Sequence, residues 1–187
     1  NNGDVLKCGL AVSGLRTYLA VSGGIDADEF LSSRSTNLKC GVGGYCGRKL
    51  KSGDILNIGR EKGHLYNPNY AEVKYSAPSQ QVTVRAVAGP QYDMFDEKGK
   101  KAFWSESFKV TEQSDRMGIR LSGAEISAQG TTDIISDAIV KGSVQVSANL
   151  QPIILMADAQ TTGGYAKIAT VISADLPLLA QLKPNAE

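Results

Sequence analysis

Short apolar or alternating runs, separated by glycine-rich turns, set the pattern of this chain. Residues 16–21, 82–88, 103–110, 117–121, 143–147, 153–157 and 168–173 are rich in Val, Ile, Tyr, Phe or Thr. Each has the length of an ordinary strand. Many short strands at close spacing predict a sandwich or a barrel. Helices are few. The best covers residues 176–182, with Asp175 as N-cap and Pro177 in the first turn. Short turns of helix are expected at 91–95, after Gly89 and Pro90, and at 27–32.

The stretch 59–79 breaks this pattern. It is polar and holds His64, Asn67, Pro68, Asn69, Pro78 and Ser79, so it reads as a linker. The expected division is therefore 1–79 and 80–187.

Composition narrows the function classes. Hydrophobic residues make up 42% and charged residues 21% of the 187, the profile of a globular protein able to bury a core. The net charge of +1 comes from interspersed acids and bases. That excludes the basic field on which nucleic-acid or anionic-membrane binding depends. No apolar run reaches the ~20 residues that span a bilayer. Cys8, Cys40 and Cys46 are an odd number at irregular spacing, a poor disulfide framework, and His64 is far from them in sequence. This predicts a reducing, cytoplasmic setting, no metal site and no cofactor bound by this chain. The first residues are Asn1 and Asn2, with no initiator methionine or leader, so a piece of something longer is expected.

Three segments carry candidate chemistry. In residues 157–168, Gly163 and Gly164 are read as a sharp turn whose N–H groups could cradle an anion. Asp158, Gln160, Thr161, Thr162 and Lys167 surround it; the bland alternative is a hairpin loop with solvated side chains. In residues 113–121, Met117, Ile119 and Leu121 alternate as a strand would, placing Arg116 and Arg120 together on the other face. Guanidinium suits carboxylate or phosphate, although an Asp115–Arg116 surface pair would explain the same residues. In residues 32–50, Arg34 and Arg48 lie among glycines, but the order that makes a phosphate loop is absent. Those arginines either contact an anion or hold loops together. His64 has no nucleophile elbow to serve and reads as a bystander.

In this order, the pieces resemble the carboxyltransferase-like family that includes the C subunit of 5-oxoprolinase (the Kip antagonist protein), allophanate hydrolase subunit 2 and the carboxyltransferase part of urea carboxylase. The matching pieces are residues 16–25, 33–36, 47–54, 89–91, 114–118, 151–153 and 158–175. The most specific is Gln160 to Tyr165 followed by Lys167 to Ile172. The resemblance implies a closed, cyclophilin-like antiparallel β-barrel in residues 80–187 and part of another carboxyltransferase subdomain in 1–79. It also implies a further N-terminal portion in family members.

The resemblance implies an enzyme subunit working with a partner of the Kip-inhibitor or allophanate hydrolase subunit 1 type. In the 5-oxoprolinase branch this means ATP-dependent opening of 5-oxoproline to glutamate, with ATP held elsewhere or shared. In the urea branch it means carboxyl transfer from biotin to urea. A regulatory module that sequesters its partner is the competing, non-enzymatic reading. On the enzymatic reading Lys167, Asp158 and Arg116 are the catalytic candidates, with Asp158 the acid or base. Gln160, Thr161, Thr162, Gly163, Gly164, Tyr165, Arg48 and Arg34 are the substrate-binding candidates, and Lys167, Arg116, Gln160 and Thr162 are expected to line one pocket. The sequence departs from the family at Ser32, at residues 147–150 and at Ala159, which bears on the substrate.

Overall fold

The computed structural model describes residues 3–60 and 80–187. Most of the predicted linker, including His64, lies outside these residues. The chain forms two compact units, one of Tyr18–Lys74 and one of Asn1–Thr17 with Tyr75–Glu187.

In the smaller unit, β1 (Ile25–Asp26) pairs antiparallel with β2 (Asn57–Ile58). The rest is tight loops. Gly47 has φ +62, and a Cβ on it would lie 2.0 Å from the carbonyl oxygen of Gly41, so only glycine fits there. The helix expected at 27–32 is absent. Leu31 and Ser32 take φ of 49° and 61°, outside the right-handed helical region, and Phe30 and Ser33 exchange backbone hydrogen bonds instead.

The larger unit is built on an antiparallel six-stranded sheet. Its strands in chain order are β3 (Ala86–Ala88), β4 (Phe108–Val110), β5 (Gly118–Gly123), β7 (Ser143–Val146), β8 (Pro152–Leu155) and β10 (Lys167–Val171). Their order across the sheet is β3-β10-β7-β8-β5-β4. A separate ribbon pairs β6 (Asp133–Ala138) with β9 (Thr162–Tyr165). One face of the sheet buries Ile119, Val144, Val146 and Ile154 against Phe95, Ile126, Leu176 and Leu179. Side chains alternate between faces along each strand, so Arg120, Gln145 and Ile153 point the other way.

The fold is mainly β and antiparallel, but the ladder does not close. β3 and β4 are its two edges. The gap is spanned by the last residues of the chain. Asn185 donates to Val110 and Val110 to Ala186, while Val82 donates to Glu187 and Glu187 to Gln80, all at 2.7–2.8 Å. Backbone groups near both edges thus find partners without a closing strand. The segment before the smaller unit is tied to the same end. Gln181 Oε1 accepts from the backbone of Leu15 and Arg16 at 2.8 and 2.7 Å.

Several expected elements differ. No strand forms at 16–21. Residues 103–105 belong to a helix, α1 (Glu97–Ser105), and only the end of the expected strand is β4. Asp96 nucleates α1 by accepting from the N–H of Gly99 at 2.7 Å, and Ser127 Oγ donates to the same carboxylate at 2.6 Å. The last helix, α2, is Leu176–Leu179, shorter than expected, and Asp175 makes no side-chain cap. Its carboxylate accepts from the backbone N–H and guanidinium of Arg85. The turn at 91–95 is a 3₁₀ turn, Tyr92–Met94.

Candidate functional site

The register of the sheet puts Lys167 opposite Gln145, Gln145 opposite Ile153, and Ile153 opposite Arg120. Residues opposed in this way share a face, so these four form one row on the side away from the apolar core. At the Lys167 end the ribbon covers the row. Lys167 is 3% exposed and Gln145 2% exposed, unusual for side chains of these types.

A buried ammonium is costly unless it is paired. Lys167 meets Asp137 of β6, with Nζ 2.8 Å from Oδ2. Gln91 fastens both parts of this arrangement. Its Nε2 donates to the same Asp137 oxygen at 3.2 Å, and its Oε1 accepts from the backbone N–H of Lys167 at 3.1 Å. The Lys167 ammonium, the N–H of Ala138 and the Gln91 amide together hold the Asp137 carboxyl below its ordinary pKa. Gly89 lets this loop lie against β10, because a Cβ there would sit 2.3 Å from the Lys167 carbonyl oxygen.

The Gly163–Gly164 pair is not a turn. Both residues are in β9, and neither has a positive φ. The expected anion-cradling nest requires a left-handed step that this strand lacks. What the glycine supplies is room. A Cβ on Gly163 would lie 2.7 Å from Ile139 Cδ1, 2.8 Å from Gln145 Nε2 and 3.3 Å from Gln160 Nε2. Gly163 is also opposite Asp137. Gln145 Nε2 donates to the Tyr165 carbonyl at 3.3 Å.

The structure therefore brings Lys167, Gln160 and Gly163 into one neighbourhood with Asp137, Gln91 and Gln145. Thr162 and Tyr165 lie on the same ribbon, opposite Ala138 and Asp133, and Thr161 accepts from the N–H of Ile139. Gly164 is in β9 between them.

Arg116 and Asp158 pair with each other and not with Lys167. They form their own ion pair at 2.9 Å, about half exposed, ahead of the end of β5 where Gly118 faces Leu155. Arg120 is four positions further along and in the row of Lys167, three strands away. Three strand spacings are about 14 Å, and the ion partner of Arg116 is Asp158 whereas that of Lys167 is Asp137. Arg34 and Arg48 belong to the smaller unit. Arg48 holds Asp54 with two bonds of 2.8 Å and lies 5.0 Å from the Tyr45 ring centre, while Arg34 pairs with Asp26 at 3.0 Å. These contacts pin loops together. Among the described residues no group of His, Cys, Asp and Glu is arranged to hold a metal ion. None of the helices among those residues is long and apolar enough to cross a membrane.

The sequence reading missed Asp137, Gln91 and Gln145 as site residues. Gln145 did carry a signal, a polar residue in the middle of an apolar strand. Asp137 carried none, because its role depends on which strand pairs with β9.

The antiparallel sheet thus buries an apolar face on one side and holds a buried lysine among amides on the other. The chain belongs to the family described as carboxyltransferase domain, subdomain A and B, which matches residues 1–187. It is 43% identical over 176 residues to the C subunit of 5-oxoprolinase from Escherichia coli (strain K12), covering 90% of this chain and 53% of that protein. It is 40% identical over 181 residues to the C subunit of 5-oxoprolinase from Haemophilus influenzae, covering 97% of this chain and 57% of that one. The crystal structure of Kluyveromyces lactis urea carboxylase matches 94% of this chain and 17% of its own, with a TM-score of 0.81 at 28% identity. The chain thus spans a little over half the length of these two curated relatives.

Proposed function

We propose that this chain is part of a 5-oxoprolinase-type enzyme, in which an assembly of subunits opens 5-oxoproline to glutamate at the expense of ATP. The observation that carries the reading is the 3% exposed Lys167, fixed at 2.8 Å by Asp137 among the amides of Gln91, Gln145 and Gln160. As an amide carbonyl is attacked, its oxygen gains negative charge. Fixed donors aimed at that charge are commonly the largest catalytic contribution. In this proposal Lys167 supplies the cation and the glutamine amides supply N–H groups. Asp137, held below its ordinary pKa, stays anionic and positions the ammonium.

The greater identity to the 5-oxoprolinase relatives than to urea carboxylase favours the cyclic amide over urea. Carboxyl transfer to urea is the second reading, supported by the TM-score of 0.81. No phosphate loop is present in the sequence, so the nucleotide site is assigned to a partner of the Kip-inhibitor type or to a shared surface. The test is to combine the full-length protein with its partner subunits, ATP and 5-oxoproline and to measure glutamate. ATP-dependent glutamate release supports the reading. Tight partner binding without turnover, or carboxylation of urea instead, overturns it.

A further inference from the structure

The strand that carries Lys167 is irregular at that residue. In β10, Lys167 is opposite Gln145, but Ala169 is opposite Val144 and Thr170 opposite Ser143. β10 thus advances two residues while β7 advances one, a β-bulge with Ile168 as the extra residue. The bulge decides where the lysine goes. In an unbroken strand residues two apart share a face, and a shift of one residue moves a side chain to the other face. Ala169 and Val171 both belong to the apolar core cluster. Without the bulge Lys167 would share their face; with it Lys167 joins Gln145 on the polar one.

A bulge leaves backbone groups outside the regular ladder. Residues 89–91, which follow β3, take them up. The Gly89 N–H donates to the Ile168 carbonyl at 2.8 Å and the Gln91 N–H to the Lys167 carbonyl at 3.3 Å. The Gln91 side chain accepts from the Lys167 N–H at 3.1 Å. A Cβ on Gly89 would meet only backbone atoms of this stretch, 2.3 Å from the Lys167 oxygen, 2.8 Å from the Ala169 nitrogen and 2.9 Å from the Ile168 carbonyl carbon. Gln91 therefore holds both backbone polar groups of Lys167. Through Nε2 it also holds the Asp137 oxygen that pairs with the Lys167 ammonium. The other Asp137 oxygen accepts from the Ala138 N–H at 2.7 Å, so the carboxylate is fixed at both ends.

We propose, resting on the reading of Lys167 as the cation of the site, that this bulge turns the lysine onto the polar face and that Gln91 is its positioning residue. Gln91 fixes one end of the lysine through the backbone and the other through Asp137. This role is distinct from donating to the substrate, because it runs through Lys167. Without the clamp the bulge can relax and the ammonium lose its aim. A misplacement of about 1 Å at a reacting centre can cost on the order of a hundredfold in rate.

The first measurement needs no turnover. In the full chain the buried Lys167 should react slowly with trace acetic anhydride, against the exposed Lys98 and Lys101 as internal standards, each read by peptide mass spectrometry. Gln91→Met, of similar length but without an amide, should raise labelling of Lys167 severalfold and leave Lys98 and Lys101 unchanged. The second measurement uses the full-length protein assembled with its partner subunits, ATP and 5-oxoproline. There Gln91→Met should lower kcat about tenfold or more and leave KM within about twofold. Unchanged labelling of Lys167, raised labelling with near-normal turnover, or a loss confined to KM would each overturn the proposal. If Lys167→Met keeps full turnover, or the unsubstituted assembly releases no glutamate, the function assigned to Lys167 fails instead, and the labelling still decides whether Gln91 positions the lysine. If Gln91→Met does not fold, Gln91→Glu replaces it. That variant keeps an acceptor for the Lys167 N–H but loses the donor to Asp137, and should show both changes; labelling and turnover like those of the unsubstituted chain overturn the proposal too.

Discussion

Lys167 is 3% exposed while the carboxylate of its partner Asp137 is 48% exposed, across a contact of 2.8 Å. The pair is lopsided: the cation is buried and the anion reaches solvent. The two obvious substitutions should therefore differ. Lys167→Met removes the buried charge and leaves a carboxylate that water can solvate. Asp137→Asn leaves a buried ammonium without its counter-charge, the more damaging change. In the assembled enzyme both should lower turnover by about a hundredfold. In urea melts Asp137→Asn should be the less stable of the two, and the reverse order would contradict the burial argument.

Acid should act through a different pair. The hydrogen bonds from the guanidinium and N–H of Arg85 lower the Asp175 carboxyl from 3.8 to about 2. The depressed folded value means that the charged form favours the fold. The contribution is complete above about pH 4, where an ordinary unfolded carboxyl is ionised, and is lost as pH falls towards 2. Asp175→Asn should be less stable at neutral pH and should flatten this part of the stability–pH curve. Denaturant midpoints at pH 5, 4, 3 and 2.5 would show it.

Gly99 tests packing against propensity. Alanine is favoured over glycine inside a helix by roughly 1 kcal/mol. Here, however, a Cβ would sit 2.1 Å from the carbonyl oxygen of Ser127, a backbone atom that cannot rotate away. Forced overpacking costs about 1–3 kcal/mol or more, so Gly99→Ala should destabilise the chain overall. A raised melting temperature would mean that α1 stands off from residue 127.

Ala186 is 6% exposed and belongs to the core cluster. Ala186→Asp would place an uncompensated charge there, at a cost on the order of 3 kcal/mol. Amide hydrogen exchange should then quicken at Val82 and Val110, whose N–H groups the tail covers, before it quickens in β7 or β8.

The centre of the sheet could be read from sequence because β5, β7, β8 and β10 each bury an apolar face, and burial imposes alternation. The ribbon could not. β9 contains Gly163 and Gly164, which resemble a turn until Ile139 and Gln145 are seen packed against them. α1 was obscured in two ways: Gly99 weakens its helical propensity, and Phe103 and Trp104 favour strand. At the site, Lys167 and Gln160 were legible as polar residues near glycine. Asp137 and Gln91 were not, because they reach Lys167 from 30 and 76 positions away, and local pattern does not record such pairings.

The tail that joins the two edges has a consequence for biosynthesis. Val82 and Val110 receive their last partners from Glu187 and Ala186, which leave the ribosome roughly a hundred residues after Val82, several seconds later at ordinary elongation rates. Until then both edges carry unpaired backbone groups, the kind of surface that pairs wrongly with neighbouring chains. A chain truncated before Ala186 should be held by chaperones, and one that includes Ala186 and Glu187 should not.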